Sequence, residues 1–398
     1  FSSRNANRLL LLLVTLTSDS LPMSETREIS TNNNENSTDK HSKKRKTYFL
    51  TGALGCIGAS VIKHIVDQGD NAIVYDLTDD TRRIEEVCGN CDNKADVDND
   101  GGGGGDSEDG KSMFSGQVKF VRGDITNLES LNTAVKECKP MAIIHLAALQ
   151  IPFCRADPVK GANVNVLGMI NVMEAALANK ESVERVCYAS SAAVFGADDG
   201  AAPDESSNCN PTTLYGVFKL ANEGIARVYY HERGLSSVGL RPLTVYGVGR
   251  DQGLTSGPTS AMKAAVLGRE YTIAFGGKTD FQHVSDVAAA FVRCADGVGV
   301  NDSEGPPTGA NVYNIHGDTV GVDEIIQTIE EIRPDAAGKI TSSGPDLPIP
   351  PSLNGEAIHV DYPGLPKMSL KDGIAATMKR FEELHAMGKL NTRDIPDD

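Results

Sequence analysis

Tyr215 and Lys219 stand four residues apart in Tyr215-Gly-Val-Phe-Lys219, so on a helix they share one face. An ammonium beside a phenol stabilises the phenolate, which lets the tyrosine give or take a proton near neutral pH. The same lysine can reach the ribose hydroxyls of a cofactor. Upstream, Arg185–Ala189 reads as a strand ending in Ser190-Ser191. A hydroxyl at the carboxyl end of a central strand can donate to a substrate oxygen beside the tyrosine. Ser191, Tyr215 and Lys219 are therefore the candidate catalytic residues. Each has a plainer reading: an exposed helix pair for the tyrosine and lysine, a strand-end turn for the serines. Tyr-x-x-x-Lys also recurs by chance, so its surroundings decide.

The surroundings favour a nucleotide. In Tyr48-Phe-Leu-Thr-Gly-Ala-Leu-Gly-Cys-Ile-Gly-Ala-Ser-Val61, large apolar residues suited to a buried strand run into Gly52, Gly55 and Gly58, and Ala59–Gln68 then reads as a helix. A strand that breaks through glycines into a helix gathers free N–H groups and a positive dipole end at one point, which suits a pyrophosphate. Gly52 permits the tight turn, Gly55 lets the backbone approach the ligand, and Gly58 lets the helix pack close to the strand. A second apolar run, Asn71–Tyr75, ends in Asp76, 18 residues past Gly58. That is where a carboxylate meets the adenosine ribose hydroxyls in a dinucleotide-binding unit. Asp76 favours NAD, because a carboxylate repels the 2′-phosphate of NADP. Arg82 and Arg83 are close enough in sequence to favour NADP instead, which leaves it the less expected cofactor.

Bulk properties narrow the class. The chain has 398 residues, 40% of them hydrophobic, enough for one large α/β domain or one plus a small lobe. A net charge of −16, with no basic patch or aromatic–basic interleaving, argues against a nucleic-acid partner. Eight cysteines occur, several inside apolar runs, which reads as buried free thiols in a reducing compartment. The run Leu9–Leu16 is far too short to span a membrane. Residues 1–46 are expected to be a disordered extension, with 1–22 either spurious before Met23 or a targeting leader; otherwise the expected location is cytoplasmic. Asp92–Lys111 holds seven acids and five consecutive glycines with almost nothing to bury, so 88–116 is expected to be a disordered insert. Asp96–Gly101 mimics half a calcium loop but lacks its closing Glu, and Cys88-Gly-Asn-Cys91 has no second cysteine pair, so no metal is expected.

Strands and helices alternate after the insert. Val118–Val121, Met141–Leu146, Arg185–Ala189 and Ser237–Leu240 read as strands. Asn127–Lys136, Asn163–Ala178 and Tyr215–Glu232 read as helices. This order predicts an α/β fold with a doubly wound parallel Rossmann sheet over residues 47–242. Residues 243–398 loosen into Gly-, Pro- and Ser-rich stretches. They are expected to form mainly a smaller C-terminal substrate-binding lobe, with parts returning to the sheet.

Taken together, these residues resemble the extended short-chain dehydrogenase/reductases, specifically the NAD-dependent epimerase/dehydratase family. The resemblance runs from about Thr47 to His316. It is carried by Thr51–Gly58, Gly123-Asp-Ile-Thr126, His145-Leu-Ala-Ala148, Val164–Gly168, Tyr188–Gly196, Tyr215…Lys219, Leu240–Gly247 and Asp280-Phe-Gln-His-Val-Ser-Asp286. It implies that Tyr215 is the acid/base, that Lys219 tunes it and holds the nicotinamide ribose, and that Ser191 polarises the reacting oxygen. It also implies that Asp124 and Ile125 flank the adenine, and that Cys56, Ile57, Ala147 and Ala148 line the cofactor with the glycines. Asn165 matches a family asparagine read as structural.

Departures from the family pattern point to the reaction. Dehydratases of the family place an Asp-Glu pair after the catalytic hydroxyl residue; here Ala192 and Ala193 stand there, and a methyl group moves no protons. Nucleotide-sugar epimerases place an Arg before the Asp-Phe step and often an Asn at position 244; here these are Thr279 and Thr244. Lys278, Arg250 or Arg269 can substitute, but the diphosphate clamp reads as incomplete. The expectation is an NAD-dependent dehydrogenase acting at a secondary alcohol carbon of a sugar, sugar acid or related polyol, with a homodimer allowed. The alternatives are a nucleotide-sugar epimerase and a non-catalytic dinucleotide-binding protein.

Overall fold

The computed structural model describes residues 45–88, 118–297 and 307–396. The predicted insert beyond Cys88, including Cys91, and the extension before Arg45 lie outside the described residues. The strands are β1 (Thr47–Thr51), β2 (Asn71–Asp76), β3 (Val118–Arg122), β4 (Ala142–His145), β5 (Arg185–Ala189) and β6 (Ser237–Arg241). Then come β7 (Thr244–Tyr246), β8 (Tyr271–Ile273), β9 (Lys278–His283), β10 (Ala310–Asn314), β11 (Asp318–Gly321) and β12 (Ile340–Ser342).

Seven strands form one parallel sheet in the order β10-β6-β5-β4-β1-β2-β3. A sheet covered on both faces needs apolar residues at every position, and Tyr48, Phe49 and Leu50 of β1 are all fully buried. Helices Cys56–Asp67 and Val284–Asp296 pack together in the core on one face. Helices Leu128–Cys138 and Gly168–Ala178 pack in the core on the other. Chain order reverses between β1 and β4, whose Thr51 and His145 are register partners. Ligands bind outside the carboxyl ends of strands at such a reversal.

Only Pro242 and Leu243 separate β6 from β7, so the chain passes straight from the main sheet into a second core. That core includes Met262, Phe275, Phe281, Ile325, Met378 and Phe381. It is framed by the three-stranded sheet β11-β9-β7 and the pair β12-β8. After β9 the chain returns through helix Val284–Asp296, and β10 becomes an edge strand of the main sheet. Asp280 of β9 is fully buried and accepts hydrogen bonds from Gly317 N at 2.7 Å and Gln282 Nε2 at 3.0 Å.

The helix expected over Asn163–Ala178 is interrupted. A wide π-turn covers Asn163–Leu167, between the short helix Pro158–Ala162 and Gly168–Ala178. Sequence periodicity does not reveal such a turn. Its purpose is local: Asn165 Oδ1 accepts from Leu149 N at 2.7 Å and its Nδ2 donates to Leu149 O at 2.9 Å. Its freed carbonyl accepts from Asn222 Nδ2 at 2.9 Å. Asn165 thus fixes the loop after β4 from behind, a structural task.

Candidate active site

The glycine turn has the shape its spacing predicts. Gly52 has φ +67°, and a Cβ on it would lie 2.4 Å from Ala147 Cα, so the turn crosses the loop after β4 at backbone contact. A Cβ on Gly58 would lie 2.4 Å from Ala53 Cα, so the helix sits directly on the turn. Gly55 differs: its Cβ would meet only Gly52 O, at 3.4 Å. Its open side faces the helix N-terminus, where Cys56 and Ile57 begin a helix with no side-chain cap. Free N–H groups on an open glycine face fit a pyrophosphate. Burial pushes the Cys56 thiol up to about 11, so it adds no negative charge beside that group.

Asp76 ends β2, half-buried, and its Oδ2 accepts from Leu54 N at 3.2 Å. At the neighbouring strand end, the Tyr75 ring lies beneath Gly123 and its hydroxyl donates to Asp124 O at 3.1 Å. Ile125 is buried, with its carbonyl held by Asn171 Nδ2 at 2.9 Å. Asp124 is exposed and its Oδ1 accepts from Thr126 N at 2.9 Å. Ala147 and Ala148 follow β4 and are half-buried. These residues form one continuous edge along the carboxyl ends of β1, β2, β3 and β4, which fits an extended dinucleotide. Both arginines that could favour NADP are engaged: Arg82 pairs with Asp80, and Arg83 Nη2 donates to Asp251 at 2.7 Å.

The catalytic candidates converge from two elements. Thr213 caps helix Leu214–Arg233 by accepting from Gly216 N at 3.0 Å, and Gly234 ends it in the left-handed region. Ser191 caps the short turn Ala192–Val194, its Oγ accepting from Ala193 N at 3.1 Å. That leaves the Ser191 proton free to donate, and the Ser191 hydroxyl lies close enough to the Tyr215 phenol to favour its ionisation. The close approach depends on Gly216: a Cβ there would lie 2.0 Å from Ala193 O. Ala192 and Ala193 are both buried, at the positions where dehydratases carry acids.

Lys219 is buried on the same helical face. Its Nζ lies 5.6 Å from the Tyr215 ring centroid and donates to Ala189 O at 2.7 Å. Burial lowers Lys219 to about 8. Tyr215 corrects the simple picture of a lysine-tuned phenol. Burial raises its pKa above the ordinary value, and the opposing pulls come from the Ser191 hydroxyl and the Arg250 guanidinium. His145 is neutral, lowered to about 3 by burial and by Lys219, with Nδ1 2.7 Å from Thr51 Oγ1.

Three features of the site go beyond the sequence reading: the surroundings of Arg250, the unpartnered Gln150 and the Glu223 network. Arg250 enters that reading only as a replacement clamp, yet its charge reaches both Tyr215 and Cys56. Its Nη2 donates to Thr255 Oγ1 at 3.0 Å, while its buried Nε and the buried Gln150 Oε1 have no protein partner. The signal is the glycine density of Gly247-Val-Gly-Arg-Asp-Gln-Gly253: all three glycines have positive φ. The third feature is Glu223, which accepts from Arg241 Nε at 2.8 Å and Nη2 at 2.7 Å, and from Ser190 Oγ. It lies one helical turn past Lys219 and ties the catalytic helix to the strand end that carries Ser191. Thr244 and Thr279, in the clamp positions, are buried and hydrogen-bond to each other at 2.9 Å. Arg269 donates to Pro396 O at 3.4 Å, at the C-terminal end of the chain, and Lys278 is exposed at the start of β9.

Among the described residues, no helix is long and apolar enough to cross a membrane, and no cluster of His, Cys, Asp and Glu is arranged to hold a metal ion.

Known proteins share this frame. The UDP-glucose 4-epimerase of Mycolicibacterium smegmatis is 28% identical over 350 residues, covering 84% of this chain and 97% of that protein. The crystal structure of Thermus thermophilus UDP-glucose 4-epimerase in complex with NAD superposes with a TM-score of 0.66 at 22% identity, covering 84% of this chain and 99% of that one. The L-threonine dehydrogenase of Clostridium difficile superposes with a TM-score of 0.68 at 20% identity, covering 87% and 99%. At those identities the two structural likenesses speak to the fold. Residues 48–315 match the NAD dependent epimerase/dehydratase family throughout, from the first strand to the end of β10. The chain is thus an enzyme of the extended short-chain dehydrogenase/reductase type, a member of the NAD-dependent epimerase/dehydratase family with NAD as its cofactor.

Proposed function

We propose that the enzyme is a dehydrogenase that oxidises a secondary alcohol carbon of a small sugar, sugar acid or polyol and releases the ketone. The observation that carries the chemistry is the convergence of Tyr215 and the buried Lys219 on the strand end that leads into Ser191, with Lys219 Nζ 5.6 Å from the Tyr215 ring centroid and 2.7 Å from Ala189 O. NAD, when bound, supplies the hydride acceptor. Gly52, Gly55, Gly58, Cys56 and Ile57 hold its pyrophosphate, and Asp76 takes the adenosine ribose. Asp124, Ile125, Ala147 and Ala148 line its path, and Lys219 reaches the nicotinamide ribose. Ser191 donates to the substrate oxygen. Tyr215 accepts the hydroxyl proton as the phenolate, which Ser191 and the cation at Arg250 stabilise against the burial that raises its pKa. The positive charge of Lys219 is retained at neutral pH, since burial lowers it only to about 8.

The preference for a small substrate rests on Thr244 and Thr279. Both are buried and one hydroxyl donates to the other, so the pair leaves at most one hydroxyl proton, and no cation, for a diphosphate. Arg250, whose buried Nε has no protein partner, supplies the cation for an acidic substrate group instead. A second reading, nucleotide-sugar epimerisation, is favoured by the likeness to the Mycolicibacterium smegmatis enzyme. The test is a panel of free sugars, sugar acids, polyols and nucleotide sugars incubated with NAD. Net NADH from a small alcohol supports the dehydrogenase. Conversion of a nucleotide sugar to its epimer without net NADH supports the second reading and overturns the first.

A further inference from the structure

Asp76 and Arg83 grip opposite ends of one residue. The Leu54 N–H donates to Asp76 Oδ2 at 3.2 Å, and the Leu54 carbonyl accepts from Arg83 Nη1 at 3.2 Å. The guanidinium therefore lies a residue's width from the carboxylate proposed to bind the adenosine ribose. A ribose carrying a 2′-phosphate would present its charge there, and a released arginine fork binds phosphate bidentately.

Arg83 is not released. Its Nε and Nη2 both donate to Asp251 Oδ1, at 3.2 and 2.7 Å. The two side chains are 19% and 13% exposed, so the pair is far better shielded than Arg82–Asp80, at 47% and 37%. Asp251 is not part of the dinucleotide unit. It sits in the loop after β7, beside Arg250, and a Cβ on Gly249 of that loop would lie 3.8 Å from both Arg83 Cβ and Cys56 Cα. A residue of the substrate-side loop thus reaches back to occupy the cation beside the ribose site.

We propose that Asp251 is a cofactor-selectivity residue: by holding Arg83 it withholds from a 2′-phosphate the cation placed to bind it. Selectivity for NAD then has two parts, repulsion by Asp76 and sequestration by Asp251. The inference rests on the proposed cofactor cradle and is independent of which alcohol is oxidised.

The test uses the full chain with ADP and 2′,5′-ADP, titrated by calorimetry, so no turnover is needed. In Asp251→Asn the preference for ADP should fall by about tenfold, the scale of one hydrogen bond to a charged group. Asp251→Glu, which keeps the pair, should keep the original preference. Asp251→Asn combined with Arg83→Ala should restore it. Asp251→Ser is a second route to the released arginine, should the asparagine variant not fold. An unchanged preference in the Asn or Ser variant, or a gain that survives loss of Arg83, overturns the proposal. Failure of the unmodified chain to bind ADP would overturn the cradle, and the proposal with it.

Discussion

Gly216→Ala separates catalytic geometry from local helix stability. Alanine is the better helix former by about 1 kcal/mol, so helix propensity alone predicts a more stable protein. The structure predicts the opposite. The new methyl would lie 2.0 Å from the Ala193 carbonyl and 2.9 Å from Pro211 Cβ. The Ala193 turn cannot swing aside cheaply. Ala192 N donates to Pro242 O at 3.0 Å, and Ser191 Oγ accepts from Ala193 N at 3.1 Å. The helix must therefore retreat by about 1.4 Å to reach ordinary contact at 3.4 Å. Tyr215 rides on that first turn, so its hydroxyl moves off Ser191 by a similar distance. A misplacement of about 1 Å near reacting groups costs about 10²-fold, so turnover should fall by about 10²-fold. Overpacking should also destabilise the fold by about 1–3 kcal/mol. NADH affinity draws mainly on the glycine turn and should change less than turnover. Initial rates, NADH fluorescence and a melting curve together check this. Turnover within about threefold of the parent, with an unchanged or raised melting temperature, would refute the reasoning.

Three further outcomes follow from the same geometry. Glu223→Gln leaves Arg241 buried without its carboxylate and should cost about 3–5 kcal/mol in chemical denaturation, whereas an exposed ion pair would cost little. His145 is lowered to about 3 and His283 to about 4, both by burial, so the unfolded chain binds protons that the folded one refuses. Stability is then complete above about pH 6.5 and lost as pH falls toward 4; the loss should be shallower in His145→Gln, and an identical slope would contradict it. Arg250→Met should raise KM for an acidic substrate by about 10–100-fold and leave neutral polyols nearly untouched, because one hydrogen bond to a charged group is removed.

Much of this fold was legible because its signals are local and doubled. The glycines at 52, 55 and 58 predict a turn, and the run Asn71–Tyr75 ending in Asp76 predicts where its carboxylate falls; both appear as read. The alternation of strands and helices likewise predicts the doubly wound sheet. What escaped depends on contacts that no spacing encodes. The π-turn at Asn163–Leu167 keeps helical composition, and only the clamp on Leu149 reveals why it widens. The Tyr215 environment is set by burial, opposed by Ser191 and Arg250, the latter 35 positions away in sequence. Helical spacing directs the Lys219 ammonium at the phenol, but it is hydrogen-bonded to Ala189 O. Arg83 reads as available beside Asp76; its partner Asp251 lies 168 residues further on. Helix and strand periods report neighbours within an element. A loop held over another element by side-chain pairs leaves no period to read.

The central claim is that Tyr215 takes the hydroxyl proton while hydride leaves the carbon bearing that hydroxyl, and that the ketone is released. The most direct measurement uses the alcohol that the substrate panel identifies, deuterated at that carbon, with mass analysis of the cofactor and product. Deuterium should appear in NADH together with free ketone. Tyr215→Phe should slow the transfer by about 10²–10⁴-fold while NADH still binds. Transfer at the parent rate in Tyr215→Phe, or a deuterated epimer formed with no ketone and no labelled NADH released, would contradict it.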